Sequence, residues 1–126
     1  MTSWKAILIN QYAGSGGDCF PYFFRLAGLG PLIGKRTWGG LVGISHSLPL
    51  VDGGEVTMPD FGMWSIQGKW DVENHGVDPD IEVENPPDLL AAGRDPQLER
   101  AIEYVQEQMK AHPPSRPARP QYKTRQ

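Results

Sequence analysis

The sequence predicts an α/β fold of short strands and two main helices, and three observations predict it. Trp4 to Ile9 (WKAILI) is an apolar, partly β-branched run of strand length. A turn of small residues follows at once, and then Cys19 to Leu26 (CFPYFFRL), with the apolar density of a buried helix face. Asp95 to Lys110 carries the spacing and end signals of a second helix. The 15 glycines and 12 prolines among 126 residues leave room only for short elements between many turns.

Taken in order, Ala6, Ile7, Leu8 and Ile9 do not alternate with polar residues, so the first strand is expected to be central and covered on both faces. The helix after the turn is expected to begin near Asp18 and to stop by Gly28, with Pro21 in its first turn, where a missing N–H costs little. Leu32–Gly34 and Leu41–Ile44 read as short strands around a bend at Gly39-Gly40, a pair that lets a backbone approach something large. Leu48 to Thr57 is a hairpin signal, with Asp52-Gly53 as its turn. Phe61–Ile66 and Lys69–Val72 suggest a further strand region, and Ile81–Val83 a last strand exposed on one side. Leu89 to Ala91 suggests a short turn of its own. In the final helix Asp95 is the N-cap, Pro96 the first helical residue, and Leu98, Ile102, Val105 and Met109 share a face. The tail from Pro113 is Pro-rich and basic and is expected to be disordered or extended.

The chain has the length of one domain with a single core. Its net charge of −3 argues against a nucleic-acid or anionic-membrane partner. No apolar run approaches the ~20 residues that span a bilayer, and the N-terminal run has no small-residue cleavage site after it. The lone Cys19 excludes an internal disulfide framework and leaves the compartment open, while favouring the cytoplasm; it is expected to be a core thiol.

The turn Asn10–Asp18 (NQYAGSGGD) is the place for chemistry. A strand, a tight turn and a helix N-terminus would expose Ser15 at a sheet end, with the Gly16 N–H aimed at a forming oxyanion. The plainer reading is a flexible turn with Asp18 as a helix cap. The acids Asp71, Glu73, Asp78, Asp80, Glu82 and Glu84 around His75 could hold a cation, but their spacing fits no metal motif, and no metal or cofactor is expected. Lys35 and Arg36 beside glycines lack the signature of a phosphate loop. His46 and His75 could serve Ser15 as a base, although nothing in the sequence brings either to it; His112 lies where a cation at a helix end is favoured.

Laid out in this way, the chain resembles the C-terminal catalytic part of the tricorn core proteases, serine peptidases related to the C-terminal-processing peptidases. The resemblance runs through NQYAGS with Asp18, Phe20-Pro21-Tyr22, GLGPLIG (28–34), RTWGG (36–40), Gly43-Ile44, LVDGG (50–54), VENHGVDPD (72–80) and, faintly, GRDPQ (93–97). It implies a clpP/crotonase-like lobe over residues 1–112, part of a larger domain, with residues 113–126 as a tail. It implies a Ser–His–Ser–Glu tetrad in which Ser15 is the nucleophile and Glu73 the acid that orients the base through the second serine. Gly16 stands where the family commonly has Asp, and only its N–H is needed. The family's histidine and second serine lie upstream of the matching region, and neither His46 nor His75 corresponds to that base. The implied partners are a peptide substrate, a histidine-bearing segment or subunit, and further copies of the chain in a homo-oligomer. Alone, the chain is expected to be nearly inactive. A non-catalytic peptide-binding or assembly module, or a split-enzyme subunit, is the alternative.

Overall fold

The computed structural model describes residues 4–113 and 118–122. Its centre is a parallel three-stranded sheet in the order β1-β2-β5, made of Ile7–Ile9, Leu32–Gly34 and Ile81–Glu82. Ile7 pairs with Leu32, and Ile33 with Ile81. A parallel pair needs a crossover, and α1 (Gly16–Leu26) supplies it between β1 and β2. The core gathers Ile9, Phe24, Leu32, Leu41, Val72 and Val77, with Ile7, Cys19, Tyr22 and Met63 half-buried against it. Cys19 is thus packed at the core's margin, its thiol 3.9 Å from the Met63 sulfur.

The centre of the sheet is β2, not β1. Every residue of β2 is buried, whereas β1 lies at the edge and its Leu8 is 40% exposed. Apolar content alone does not separate a central strand from an edge strand that another layer covers. β5 is fastened by its approach: Asp80 Oδ2 accepts the Leu32 N–H at 2.8 Å, and its other oxygen meets Arg25 at 2.9 Å. Lys35 is paired with Glu82.

Other expectations shift. α1 begins at Gly16, two residues before Asp18, so Pro21 falls in the second turn. The carbonyl of Gly17 therefore lacks its helical donor. Leu41–Ile44 is not a strand, because the N–H groups of Leu41 and Val42 go to a carboxylate; only Gly43 makes an antiparallel bridge, with Phe61. Phe61–Ile66 and Lys69–Val72 form no strands: Ser65 and Lys69 close a turn instead. The hairpin holds, as β3 (His46–Pro49) against β4 (Glu55–Met58), but begins two residues earlier than the sequence suggests. α2 spans Pro87–Ala91. Of the tail, 118–122 form neither helix nor strand, and the expectation for the remainder falls on 114–117 and 123–126, outside the described residues.

α3 (Pro96–Ala111) packs on β1 and β2. Its apolar stripe is turned partly outward, with Leu98, Ile102 and Met109 each about half exposed and Gln97 buried in their stead. Gln97 is placed there by bonding: its side chain donates to the Val83 carbonyl and its backbone N–H to Asn85. With the outward stripe, Leu8, Trp38, Trp64 and the hairpin's Leu48, Val56 and Met58 add to an unusually apolar surface. The free chain should bind a hydrophobic dye and self-associate in sedimentation; a monodisperse, dye-silent monomer would contradict this.

Asp95 caps α3 by accepting the Leu98 N–H at 3.0 Å, and Asn85 donates to the same oxygen. These bonds, the Leu98 one foremost, hold its carboxyl below the usual aspartate range. A depressed folded-state pKa contributes stability that is present above the unfolded value, about 4, and lost as the pH falls through the folded one. Asp95→Ala should therefore cost about 1 kcal/mol at neutral pH. The loss should shrink below about pH 4, when thermal melts of both forms are followed into acid.

Candidate active site

The turn after β1 is built by its own backbone. Asn10 accepts the N–H groups of Tyr12 and Ala13 on its side chain, and Gly17 donates to Gly14. Ser15 then enters α1 at φ 53° and ψ −109°, one of two non-glycine residues with positive φ among those described. Such a conformation costs on the order of 1–3 kcal/mol and persists only where surrounding contacts impose it. They do: Ser15 N–H donates to Gly40 O at 3.1 Å, and Ser15 O accepts from Asp18 and Cys19. Its hydroxyl makes no cap bond and the residue is exposed. The Gly16 N–H, first donor of the helix, has no hydrogen bond among the described residues and carries the positive end of the helix dipole.

Asp18, read from sequence as a possible cap, has a different task. It is fully buried, and its Oδ1 accepts the Gly39 N–H at 2.8 Å while Oδ2 has no hydrogen-bond partner among the described residues. It joins α1 to the segment Thr37–Gly40. That segment also bonds to the Ser15 turn, through Trp38 N–H to Ala13 O at 2.8 Å. On its other side, Thr37 N–H meets Val77 O, Thr37 Oγ1 accepts from Val77, and Gly39 O accepts from Asn74. The backbones approach so closely that a β-carbon on Gly39 would fall 2.4 Å from Gly76 N, and one on Gly76 2.2 Å from Thr37 O.

Glu73 sits in the turn this packing positions. Its Oε2 accepts the N–H groups of Leu41 and Val42, both at 2.7 Å, and Oε1 has no hydrogen bond among the described residues. Ser15 and Glu73 line one cleft of about 500 Å³ with Trp38, Gly39, Gly40, Val42, Ile44 and Asn74. The structure thus brings these two residues together and leaves the histidines out. His46 stands on the hairpin and pairs with Asp60 at 2.8 Å; His75 pairs with Asp78 at 2.8 Å. His112 ends α3, where its carbonyl accepts from Trp4. The acidic cluster is dispersed among partners: Asp80 on Arg25, Glu82 on Lys35, Asp71 beside Tyr22. Among the described residues no three His, Cys, Asp or Glu side chains are grouped to hold a metal ion. No described helix is long and apolar enough to cross a membrane. The Leu41–Val42 cradle and the Asp18 tie escaped sequence reading; the Gly39-Gly40 pair signalled a close approach of backbone, here of Gly39 to Gly76, but not the carboxylates that bond beside it.

Gly39→Ala and Gly76→Ala should each lower stability by more than about 1 kcal/mol, since φ is +88° and +89° there and backbone blocks the new methyl. Gly16→Asp, where a β-carbon meets nothing within 4 Å, should be nearly neutral; denaturant melts of the three variants check the contrast.

The profile of peptidase family S41 matches residues 5–83. The chain is 51% identical over 98 residues to the tricorn protease of Thermoplasma volcanium, an alignment covering 78% of this chain and 10% of that protein. The crystal structure of the tricorn protease superposes with a TM-score of 0.77 at 46% identity, over 83% of this chain and 10% of the other. The photosystem II D1 C-terminal processing protease shares the fold, with a TM-score of 0.52 at 23% identity over 79% of this chain and 24% of that one. The chain spans about a tenth of the length of the tricorn proteases it matches. Its sequence is that of a tricorn-like C-terminal region, and the chain belongs to peptidase family S41.

Proposed function

We propose that this chain is the nucleophile-bearing lobe of a serine peptidase, with a clpP/crotonase-like core over residues 1–112 and a tail over 113–126. One observation carries the reading: Ser15, on a positive-φ elbow with an uncommitted hydroxyl, shares a cleft with Glu73, whose Oε1 is also uncommitted. Family membership and tricorn relatives support proteolysis as the chemistry.

In this reaction Ser15 Oγ adds to the carbonyl carbon of a peptide bond as its proton passes to a histidine. The carbonyl oxygen becomes an oxyanion and accepts the Gly16 N–H. The intermediate then collapses, the C–N bond breaks, and the imidazolium returns the proton to the departing amine. Water, deprotonated by the same histidine, then adds to the acyl-serine ester and breaks it, releasing the carboxyl product as Ser15 Oγ regains its proton. The histidine comes from sequence or a subunit outside this chain, since His46 and His75 are engaged by aspartates and line no part of the cleft. Glu73 Oε1 accepts from an intervening serine hydroxyl and stabilises the imidazolium as it forms. Holding Oε2 on two backbone N–H groups fixes the carboxylate's aim without consuming its second oxygen. A serine without its base is a weak nucleophile, so the chain alone is nearly inactive.

Supplying the histidine-bearing segment of a tricorn relative, fused or in trans, should restore cleavage of a fluorogenic peptide and labelling by a serine-directed phosphonate. Ser15→Ala should abolish both. Glu73→Gln should lower kcat by about tenfold or more with little change in ground-state binding, because the glutamate acts on the developing imidazolium. Cleavage at the same rate with or without the Ser15 hydroxyl would end the peptidase reading.

A further inference from the structure

Trp38 is 68% exposed, and the peptidase chemistry above gives it no part. Its ring nonetheless has a built seat. It lies so close over two glycines that a β-carbon on Gly14 would fall 2.6 Å from Cε3 and one on Gly40 2.2 Å from Cζ3. These are the two residues that register Ser15: Gly14 precedes it, and Gly40 O accepts its N–H. The Trp38 backbone is itself tied to Ala13. The indole is therefore packed beside the Ser15 turn, where contact with the two glycines limits the rotamers it must give up when a ligand arrives. Ile44, 58% exposed, lines the same cleft.

We propose that Trp38 and Ile44 form a subsite for a large apolar side chain, aromatic by preference, on a residue flanking the bond that Ser15 attacks. The inference rests on the peptidase reading and adds a substrate class to it. Its occupant follows from continuity with the Ser15–Glu73 cleft. In an extended peptide, residues advance ~3.3 Å each, so a carbonyl held at Ser15 brings the neighbouring side chains within reach of a ring seated on Gly14. Indole and aliphatic walls select apolar groups by desolvation and aromatic ones also by ring geometry. The Glu73 carboxylate in the same cleft disfavours an acidic side chain.

The test is calorimetric titration of the Ser15→Ala chain with acetyl-Ala-Ala-Xaa-Ala-Ala-amide, where Xaa is Phe, Leu or Gly. The Phe and Leu peptides should bind about tenfold or more tighter than the Gly peptide. Trp38→Ala should erase that preference and Trp38→Phe should keep most of it, with circular dichroism confirming the fold of each. Should Trp38→Ala fail to fold, Ile44→Ser carries the same test, with a reduced preference expected. Equal affinity for all three peptides, or a preference untouched in a folded Trp38→Ala or Ile44→Ser variant, would overturn the subsite. Phosphonate labelling of the reconstituted protein separates the two readings. Absent labelling with a Trp38-dependent preference defeats the peptidase and leaves the subsite. Labelling with a preference indifferent to Trp38 does the reverse.

Discussion

The segment Thr37–Gly40 is hydrogen-bonded on one side to the turn that carries Ser15 and on the other to the turn that carries Glu73. Each such bond contributes on the order of 1 kcal/mol net, but breaking one here strands a buried partner, which costs more. Thr37 and Gly39 are themselves buried, so water cannot replace what is lost. The two turns lie 58 positions apart in the chain, Ser15 against Glu73, and this segment fixes their spacing. Gly39 and Gly76 are where the backbones touch, and a side chain at either would push the turns apart.

The same segment sustains the backbone of Ser15. A serine at φ 53° relaxes toward ordinary geometry unless neighbours hold it, and the Gly40 carbonyl and the first turn of α1 do so. Helix entry at Gly16 leaves the serine hydroxyl out of the cap and the Gly16 N–H out of the helix ladder. Strain, an idle hydroxyl and an idle donor at one point are consistent with a site built for a reacting group. Asp18 shows how close the arrangement is to its limit: a fully buried carboxylate with one oxygen unpartnered has been accepted to keep Gly39 in place.

The rest of the molecule is thin for its apolar content. Three short parallel strands and two main helices bury a small core, while the outer edge of β1, half of the α3 stripe and one face of the hairpin stay open. A two-stranded hairpin exposed along both strands is marginal by itself in water. The tricorn proteases it matches are about ten times longer, and open apolar surface of this kind supports the proposal that this chain is one lobe of a larger unit.

Local chemistry determined the elements whose signals lie within a few residues. The Asp95-Pro96 start of α3, the Asp52-Gly53 hairpin and the strand–turn–helix passage through Ser15 were legible because capping, turn type and periodicity act over that range. The motifs NQYAGS, RTWGG and VENHGVDPD likewise marked the family, and the roles proposed for Ser15 and Glu73 come from that resemblance. Three things were decided only by tertiary structure. β2 took the centre because β5 pairs with it from 48 residues away, which no run of apolar residues in β1 could announce. Leu41–Ile44 lost its strand because a carboxylate from another turn claimed its N–H groups. Asp18 left the helix cap because a buried glycine N–H, Gly39, needed an acceptor. In each case a backbone group had two possible partners, and the one distant in sequence prevailed because burial excludes water and leaves the nearest protein group to satisfy it.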